Sequence, residues 1–520
     1  MNVSIAALEE ILKAQKERNK LVIVTHTGIR HVDEVDAIRR LQKYGEKIFP
    51  GIGEARIIFL NAGHNRDIKD KKAEELIRKG IIPVDIGGGP FDHPIHKKGC
   101  ATTQVAECFN IRTPAEREMT DYVFASDIYG KSTPFDLART FKFVSMALED
   151  GRPIKSLESD KAIMEWALKI SEAILEHMSK FDPRGKERLK INRYLTDIVV
   201  SAWLAERFRL GKRNNLSEVV EKVENIGTVE FSEENCRTVK AIGMIEQNQR
   251  SVLERLERFI FNNFVKGNRT KFDLSEITSC LYFYYGGDIR RTMEEVFKAL
   301  DGFLWREMAY QEARSEYEKK AIEQIIKDHR GRNIKVATIE SNNLMMAIFA
   351  RAEKKVVLLV QRNENRGRKT IYISANKKRV RKAEIADIVA LLRIKEQEAR
   401  NVPINKQVYD WNVLRREGTL GEIPQWHYQE EAWAIFNRSL SAKDVPSTAL
   451  SLDEIHGCVS IAIDHSYMPG CNSGKDGCIK DKCPIYKAGF VRCRTKRYND
   501  YQKASKKSRE GDLVKWNFSS

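Results

Sequence analysis

The sequence predicts an α/β protein organised around a parallel sheet, on three observations. Short branched apolar runs stand at residues 21–24 (LVIV), 56–60 (RIIFL) and 81–86 (IIPVDI). Helical patterns at 33–46 and 68–79 separate them, and strands that alternate with helices close as parallel neighbours joined by crossovers. Polar side chains of two chemical kinds, imidazoles and carboxylates, collect at the ends of those runs, where parallel sheets gather their ligands.

Residues 1–20 read as an amphipathic helix with acidic residues inside it, unlike the basic-then-apolar layout of a secretory signal. Together with the absence of any apolar run of about 18 residues, this predicts a cytoplasmic protein without a membrane partner. The first strand ends in THTGIRHVDE, which offers His26, His31 and Asp33 where a helix would begin, with Gly28 letting the backbone turn closely. The third strand ends in Asp85 and is followed by Gly87, Gly88 and Gly89, then by Asp92, His93 and His96 in FDHPIH. A fourth run, VFAS, is read as ending in Asp127. Five of the ten histidines fall in the first hundred residues: His26, His31, His64, His93 and His96. Of these, His64 is read as either a substrate contact or a surface-turn residue.

The remaining chain divides by pattern. Residues 136–290 are a helical region, in which Ile163, Ala167, Ile170, Ile174 and Met178 recur as a core stripe. Residues 291–400 form a second, smaller α/β domain, carrying the β-like segments KVATIE, KVVLLVQ and TIYIS. Residues 401–450, with Pro403, Pro424 and Pro446, read as a connecting segment, and 451–520 as a Cys-rich basic module.

The formal charge of +17 favours a polyanionic partner, nucleic acid first. Arg379, Arg381, Arg494, Lys496 and Arg497 are the candidate phosphate contacts. Cys471, Cys478, Cys483 and Cys493, separated by six, four and nine residues, have the compactness of a zinc knuckle or an iron–sulfur site. Basic and aromatic residues between them suit single-stranded nucleic acid.

The N-terminal imidazoles and carboxylates have the composition of a two-metal site, which needs one bridging carboxylate; Asp85 is that residue in this reading. Asp92, His93 and His96 are the catalytic candidates, and His26, His31, Asp33, Asp85, Asp127 and His93 the metal set.

THTGIRHVDE, Arg66–Asp67, VDIGGGPFDHP and ASDIYG together resemble the successive motifs of the Myg-type metal-dependent hydrolases, 3′-to-5′ exoribonuclease-like relatives of the DHH phosphoesterases. The resemblance covers residues 20–130 and returns more weakly at 291–375. It implies a DHH-like catalytic domain in residues 1–135, manganese or magnesium held by His26, His31, Asp33, Asp85 and Asp127, and His93 as the first histidine of the DHH triplet. Pro94 stands where the family has the second histidine. The expected activity is 3′-to-5′ exonucleolytic hydrolysis of single-stranded RNA or DNA. Hydrolysis of a small nucleotide or dinucleotide, and a catalytically degenerate nucleic-acid-binding role in a homo-oligomer or larger complex, are the alternatives.

Overall fold

A computed structural model describes residues 21–28, 30–60, 73–86, 89–93, 99–133, 135–152, 154, 156–180, 186–208, 271–328, 330–365, 368–403, 407–430, 432–437, 445–464 and 484–488, with single positions at 253, 254, 256, 258 and 490. The chain forms two compact units, Met1–Gln311 and Glu312–Ser520. Among the described residues no helix is long and apolar enough to cross a membrane.

The three apolar runs form strands β1 (Val22–His26), β2 (Arg56–Leu60) and β3 (Ile81–Pro83). They pair in parallel in the order β2-β1-β3, with Val22 opposite both Arg56 and Ile81. The central strand has Val22, Ile23, Val24 and Thr25 fully buried, which is why it reads as a continuous apolar run rather than an alternating one.

Helix α1 (Val32–Tyr44) follows β1 and is buried from Val32 to Leu41. Helix α2 (Ala73–Arg78) leads into β3. Helix α3 (Ala101–Cys108) precedes α4 (Pro114–Tyr129). Thr113 caps α4 by accepting from the Glu116 N–H, Pro114 opens it, and Gly130 at φ 62° closes it. The VFAS segment, expected as a strand, therefore lies within a helix. Four apolar-leaning residues are too few to separate a strand from a buried helical turn, and the flanking Thr-Pro and Gly signals decide the matter.

Helices α5 (Leu137–Glu149), α6 (Asp160–Lys180), α7 (Lys186–Phe208), α8 (Leu274–Tyr284) and α9 (Ile289–Lys320) supply the helical region. Of the stripe, Ile163, Ala167, Ile170 and Ile174 are core, as their spacing predicts, and Met178 at its end is half-buried.

Buried α1 carries charge that must be answered. Asp36 accepts from Arg40 Nε at 2.6 Å and Arg39 Nε at 3.0 Å. Glu116 of α4 accepts from Arg39 Nη2 at 2.6 Å and from the Tyr44 hydroxyl at 2.9 Å, and its backbone carbonyl accepts from Arg40 Nη2 at 2.9 Å. Burial alone would raise the Asp36 carboxyl, but Arg40 and Arg39 hold it below its ordinary value. All four groups are almost wholly inaccessible, so each ion relies on its partners.

The second unit is a seven-stranded mixed sheet in the order β4 (Ile322–Lys327), β5 (Asn333–Glu340), β6 (Leu358–Asn365), β7 (Arg368–Ala375), β10 (Ala434–Asn437), β9 (Ile423–Gln429) and β8 (Gly418–Leu420). Only β5 and β6 run parallel, with α10 (Met346–Ala352) between them in the chain. Helix α11 (Lys382–Ala399) covers the sheet together with α13 (Leu452–Ile463); the short helices α12 (Trp411–Leu414) and α14 (Pro484–Lys487) add to the same core.

Residues 401–450 are not the connecting segment expected from their prolines. Strands β8, β9 and β10 extend the sheet, and fully buried Arg393 fixes them by donating to the carbonyls of Leu414, Arg416, Gly418 and Trp426. Glu396 accepts from Trp426 Nε1 at 3.1 Å and from the Ala449 N–H at 2.9 Å. The segment is held by polar groups of a helix outside it, a signal its own sequence does not contain.

Replacing Glu116 with alanine leaves Asp36 as the one buried carboxylate answering the Arg39 and Arg40 guanidiniums and should destabilise the first unit by about 3–5 kcal/mol. Urea unfolding measures this, and a loss below about 1 kcal/mol, the size of an exposed ion pair, would contradict the role given to the network.

Candidate metal centre

The carboxyl end of the parallel sheet collects the site. His26 is the last residue of β1. His31 is the extended residue that precedes α1, and Asp33 and Glu34 lie in that helix's first turn. Asp85 follows β3 at φ 54°, a left-handed conformation that aspartate tolerates better than most residues and that marks functional turns. Its N–H donates to the Phe91 carbonyl at 2.9 Å. Phe91 in turn packs against Phe49 and Phe109 with ring centroids 6.2 and 6.3 Å apart. That aromatic cluster anchors the turn carrying Asp92 and His93.

The distances show convergence. His26 Nε2 is 3.2 Å from Asp85 Oδ2, and His93 Nε2 is 3.3 Å from Asp85 Oδ1, 3.5 Å from Asp127 Oδ2 and 3.8 Å from Asp33 Oδ2. Asp127 comes from the last turn of α4. Asp33, Asp85 and His93 each offer a ligand atom within 4.8 Å of the others, as do Asp33, Cys100 and Asp127; these groups could hold a metal.

His31 lies to one side, its ring centroid 6.1 Å from that of His26. Asp92 accepts from the His93 N–H at 2.7 Å, so it shapes the turn. His96, Pro94, His64, Arg66 and Asp67 lie outside the described residues, as do Cys471, Cys478, Cys483, Cys493, Arg494, Lys496 and Arg497. In the second unit Arg379 is exposed and donates to the Asn333 carbonyl at 3.3 Å. Arg381 is paired with Glu384 at 2.9 Å.

Electrostatics follow from packing three acids together. Burial, then the charges of Asp85 and Asp127, push the Asp33 carboxyl up. Burial raises Asp127 as well, against the pull of His93. Asp85 goes the other way: although burial opposes its charge, hydrogen bonds from His26 and His93 hold it well below the ordinary range. His26 loses to burial but gains more from Glu34 and Asp85, reaching about 9. His93 is raised to about 9, chiefly by its hydrogen bond to Asp85. The two imidazoles thus supply positive charge that the acids demand, and a divalent cation would compete for the same atoms.

Asp33 is further fixed by the start of α3: its two oxygens accept from the Ala101 and Thr102 N–H groups, each at 2.8 Å. Two buried oxygens, Glu34 Oε2 and Asp127 Oδ2, have no hydrogen-bond donor among the described residues. Carboxylate oxygens with one or two imidazoles suit a divalent cation, and the undonated oxygens leave coordination capacity.

Four participants escape sequence reasoning. Glu34, fully buried, accepts from Thr25 and Arg30 and faces His26 Nε2 at 3.7 Å. Arg30, also fully buried, donates to the carbonyls of His26 and Gly28 and to Asp160, so it shapes the turn between β1 and α1. Cys100 lies beside Asp33, with its thiol pushed up by burial and by that carboxylate. Lys142, half-buried on α5, acts on His31 as a neighbouring positive charge. The side-by-side residues in HVDE were a signal for Glu34; nothing in sequence singled out Arg30, Cys100 or Lys142.

No family model matches the chain, and no curated protein matches it. Among solved structures it is similar to a DHH-domain member of the s1p family of ribosomal proteins, at 11% identity and a TM-score of 0.29, over 89% of this chain and 93% of that one.

His26 retains its proton to about 9 when folded, against about 6.5 in the unfolded chain. Its contribution to stability is full below about pH 6.5 and is lost as pH climbs through about 9. Thermal melts in a chelating buffer should therefore show a Tm that falls across this window, and the fall should be shallower in His26→Gln. Parallel curves for the two proteins would contradict the assignment.

Proposed function

We propose that the first unit is a divalent-metal-dependent phosphoesterase acting on nucleic acid, as a 3′-to-5′ exonuclease on single-stranded RNA or DNA. One observation carries the reading: Asp33, Asp85 and Asp127, from three separate elements, meet His93 within 3.8 Å at the carboxyl end of a parallel sheet. Manganese or magnesium, when bound, supplies water activation and stabilises charge on the phosphate.

The chain's own residues do the rest. Asp85 presents one oxygen toward His26 and the other toward His93, so it would be the carboxylate shared by two cations in this reading. Asp33, held by the α3 N-terminus, and Asp127 complete the oxygen donors, with His26 and His31 beside them. His93, 44% exposed at the rim, steadies the scissile phosphate in this reading, with His96 and Asp92 in the same segment. Lys142 has no anionic partner among the described residues, and burial and Arg139 lower its pKa; it is suited to a non-bridging phosphate oxygen. The charge of +17 favours a polymeric substrate over a dinucleotide, with Arg379, Arg381, Arg494, Lys496 and Arg497 as backbone contacts. Cys471, Cys478, Cys483 and Cys493 bind zinc or an iron–sulfur cluster in this reading.

Pro94 favours a second reading. Where the resembled family carries a histidine, proline offers neither ligand nor proton, and the chain would then bind nucleic acid without turnover, as part of a larger assembly.

Purified protein with manganese and end-labelled single-stranded RNA separates the two: shortening from the 3′ end supports the first, binding without cleavage the second. Asp85→Asn should reduce turnover by more than the about 10–100-fold typical of losing an outer-shell partner, with the circular dichroism spectrum unchanged. Near wild-type turnover would remove Asp85 from the site. Lys142→Ala should lower kcat/KM by about 10–100-fold, the loss of one charge-assisted hydrogen bond; an unchanged value would free Lys142 from substrate.

A further inference from the structure

The seven-stranded sheet has two edges, and they are finished differently. Strand β8 is three residues long, begins at a glycine and breaks register between Thr419 and Leu420. Short length and a bulge are the usual ways of blunting an edge. Strand β4 shows neither: its six residues, Ile322–Lys327, pair with β5 in unbroken antiparallel register from Thr338 to Asn333. It contains no proline, and among the described residues no strand pairs with its outer side, which presents a row of backbone donors and acceptors.

Two of the most exposed large apolar side chains among the described residues lie on this strand, Ile322 at 67% and Ile325 at 65%. Side chains alternate along a strand. Ile326 points into the core shared with Ile334 and Val336, on the face where Gln324 meets His456 of α13. Ile325 therefore projects from the opposite face, flanked by Glu323 and Lys327. Lys327 has no ion pair among the described residues. Glu323 is held upright, accepting from the Tyr317 hydroxyl at 2.7 Å and pairing with Lys335 at 2.8 Å.

This arrangement is self-complementary. When a second copy of β4 is laid antiparallel alongside the first with Ile325 on the two-fold axis, Ile325 meets its own image. Glu323 of each copy then faces Lys327 of the other, and Gln324 faces Ile326. Directly opposed residues of antiparallel strands lie about 4.5–5.5 Å apart at Cβ, so the axis carries one apolar pair bracketed by two opposite-charge pairs on the same face. A C2 contact requires such self-matching. No register shifted by one residue keeps it, because the centre would then fall between residues and Glu323 would oppose Ile326 or Asp328.

We propose that two copies of this chain associate through their β4 edges in this register, joining the two seven-stranded sheets into one continuous sheet. The proposal is independent of the metal centre, which lies in the other unit.

Sedimentation velocity of the full chain over a concentration series is the test. The wild type should move reversibly from 59.9 kDa to twice that mass. Ile325→Lys, which sets two ammonium groups on the axis, should leave a monomer with an unchanged circular dichroism spectrum. Lys327→Glu should weaken dimerisation by about tenfold, since each of two cross-strand pairs turns repulsive. Adding Glu323→Lys to Lys327→Glu should restore it, as the exchanged charges meet again across the axis. A wild type that stays monomeric throughout, whether its edge is bare or reserved for another polypeptide, overturns the proposal. So does a dimer indifferent to Ile325→Lys. If the double variant dimerises no better than Lys327→Glu alone, the register is wrong and the proposal falls with it.

Discussion

The buried charge on α1 is the constraint from which the first unit is organised. A helix sealed from water over ten residues while carrying Asp33, Glu34, Asp36, Arg39 and Arg40 has few places it can sit, because each charge costs several kcal/mol unless partnered. Arg39 and Arg40 meet Glu116 near the start of α4. Asp127 lies eleven residues further along that helix, about three turns at 3.6 residues each, and so on the same face as Glu116. Clamping one end of α4 to Arg39 and Arg40 brings the other end against Asp33. The acid cluster is thus a consequence of how two helices are locked, and its geometry does not depend on loop conformation alone.

The cluster stores unfavourable energy that the fold contains. Burial raises Asp33 and Asp127 while imidazoles lower Asp85, so neighbouring carboxylates are driven to different protonation preferences by position alone. Asp85 also takes a left-handed backbone. Displaced titration and a left-handed backbone at the same point mark Asp85 as a functional-site candidate. Glu34 and Arg30 extend the arrangement beneath it: one oxygen of Glu34 is occupied by Thr25 and Arg30, while the other turns to His26.

Much of this was legible in the residues. The alternation of LVIV, RIIFL and IIPVDI with helical patterns points to the parallel sheet, and His26, Asp33, Asp85 and His93, which the structure brings together, stand at strand ends, helix starts and turns that are marked locally. What could not be read depends on partners distant in the chain. Asp127 lies on a helix, where YVFAS carries no period that distinguishes helix from strand. Cys100 and Arg30 enter only because α3 and the β1–α1 turn fold back on Asp33 and Glu34. The 401–450 segment looked like a linker from its prolines, yet Arg393 and Glu396, on a helix before it, hold it in the sheet.

The proposed function requires that Asp33, Asp85 and Asp127 hold divalent cations, with Asp85 shared between two of them. Electron paramagnetic resonance of the purified chain titrated with manganese tests it most directly. The account predicts saturable binding with the broadened, exchange-coupled spectrum of two ions sharing a carboxylate, reduced in Asp85→Asn to the signal of at most one isolated ion. A spectrum of free aqueous manganese at every ratio, or an unaltered coupled signal in the variant, would contradict it.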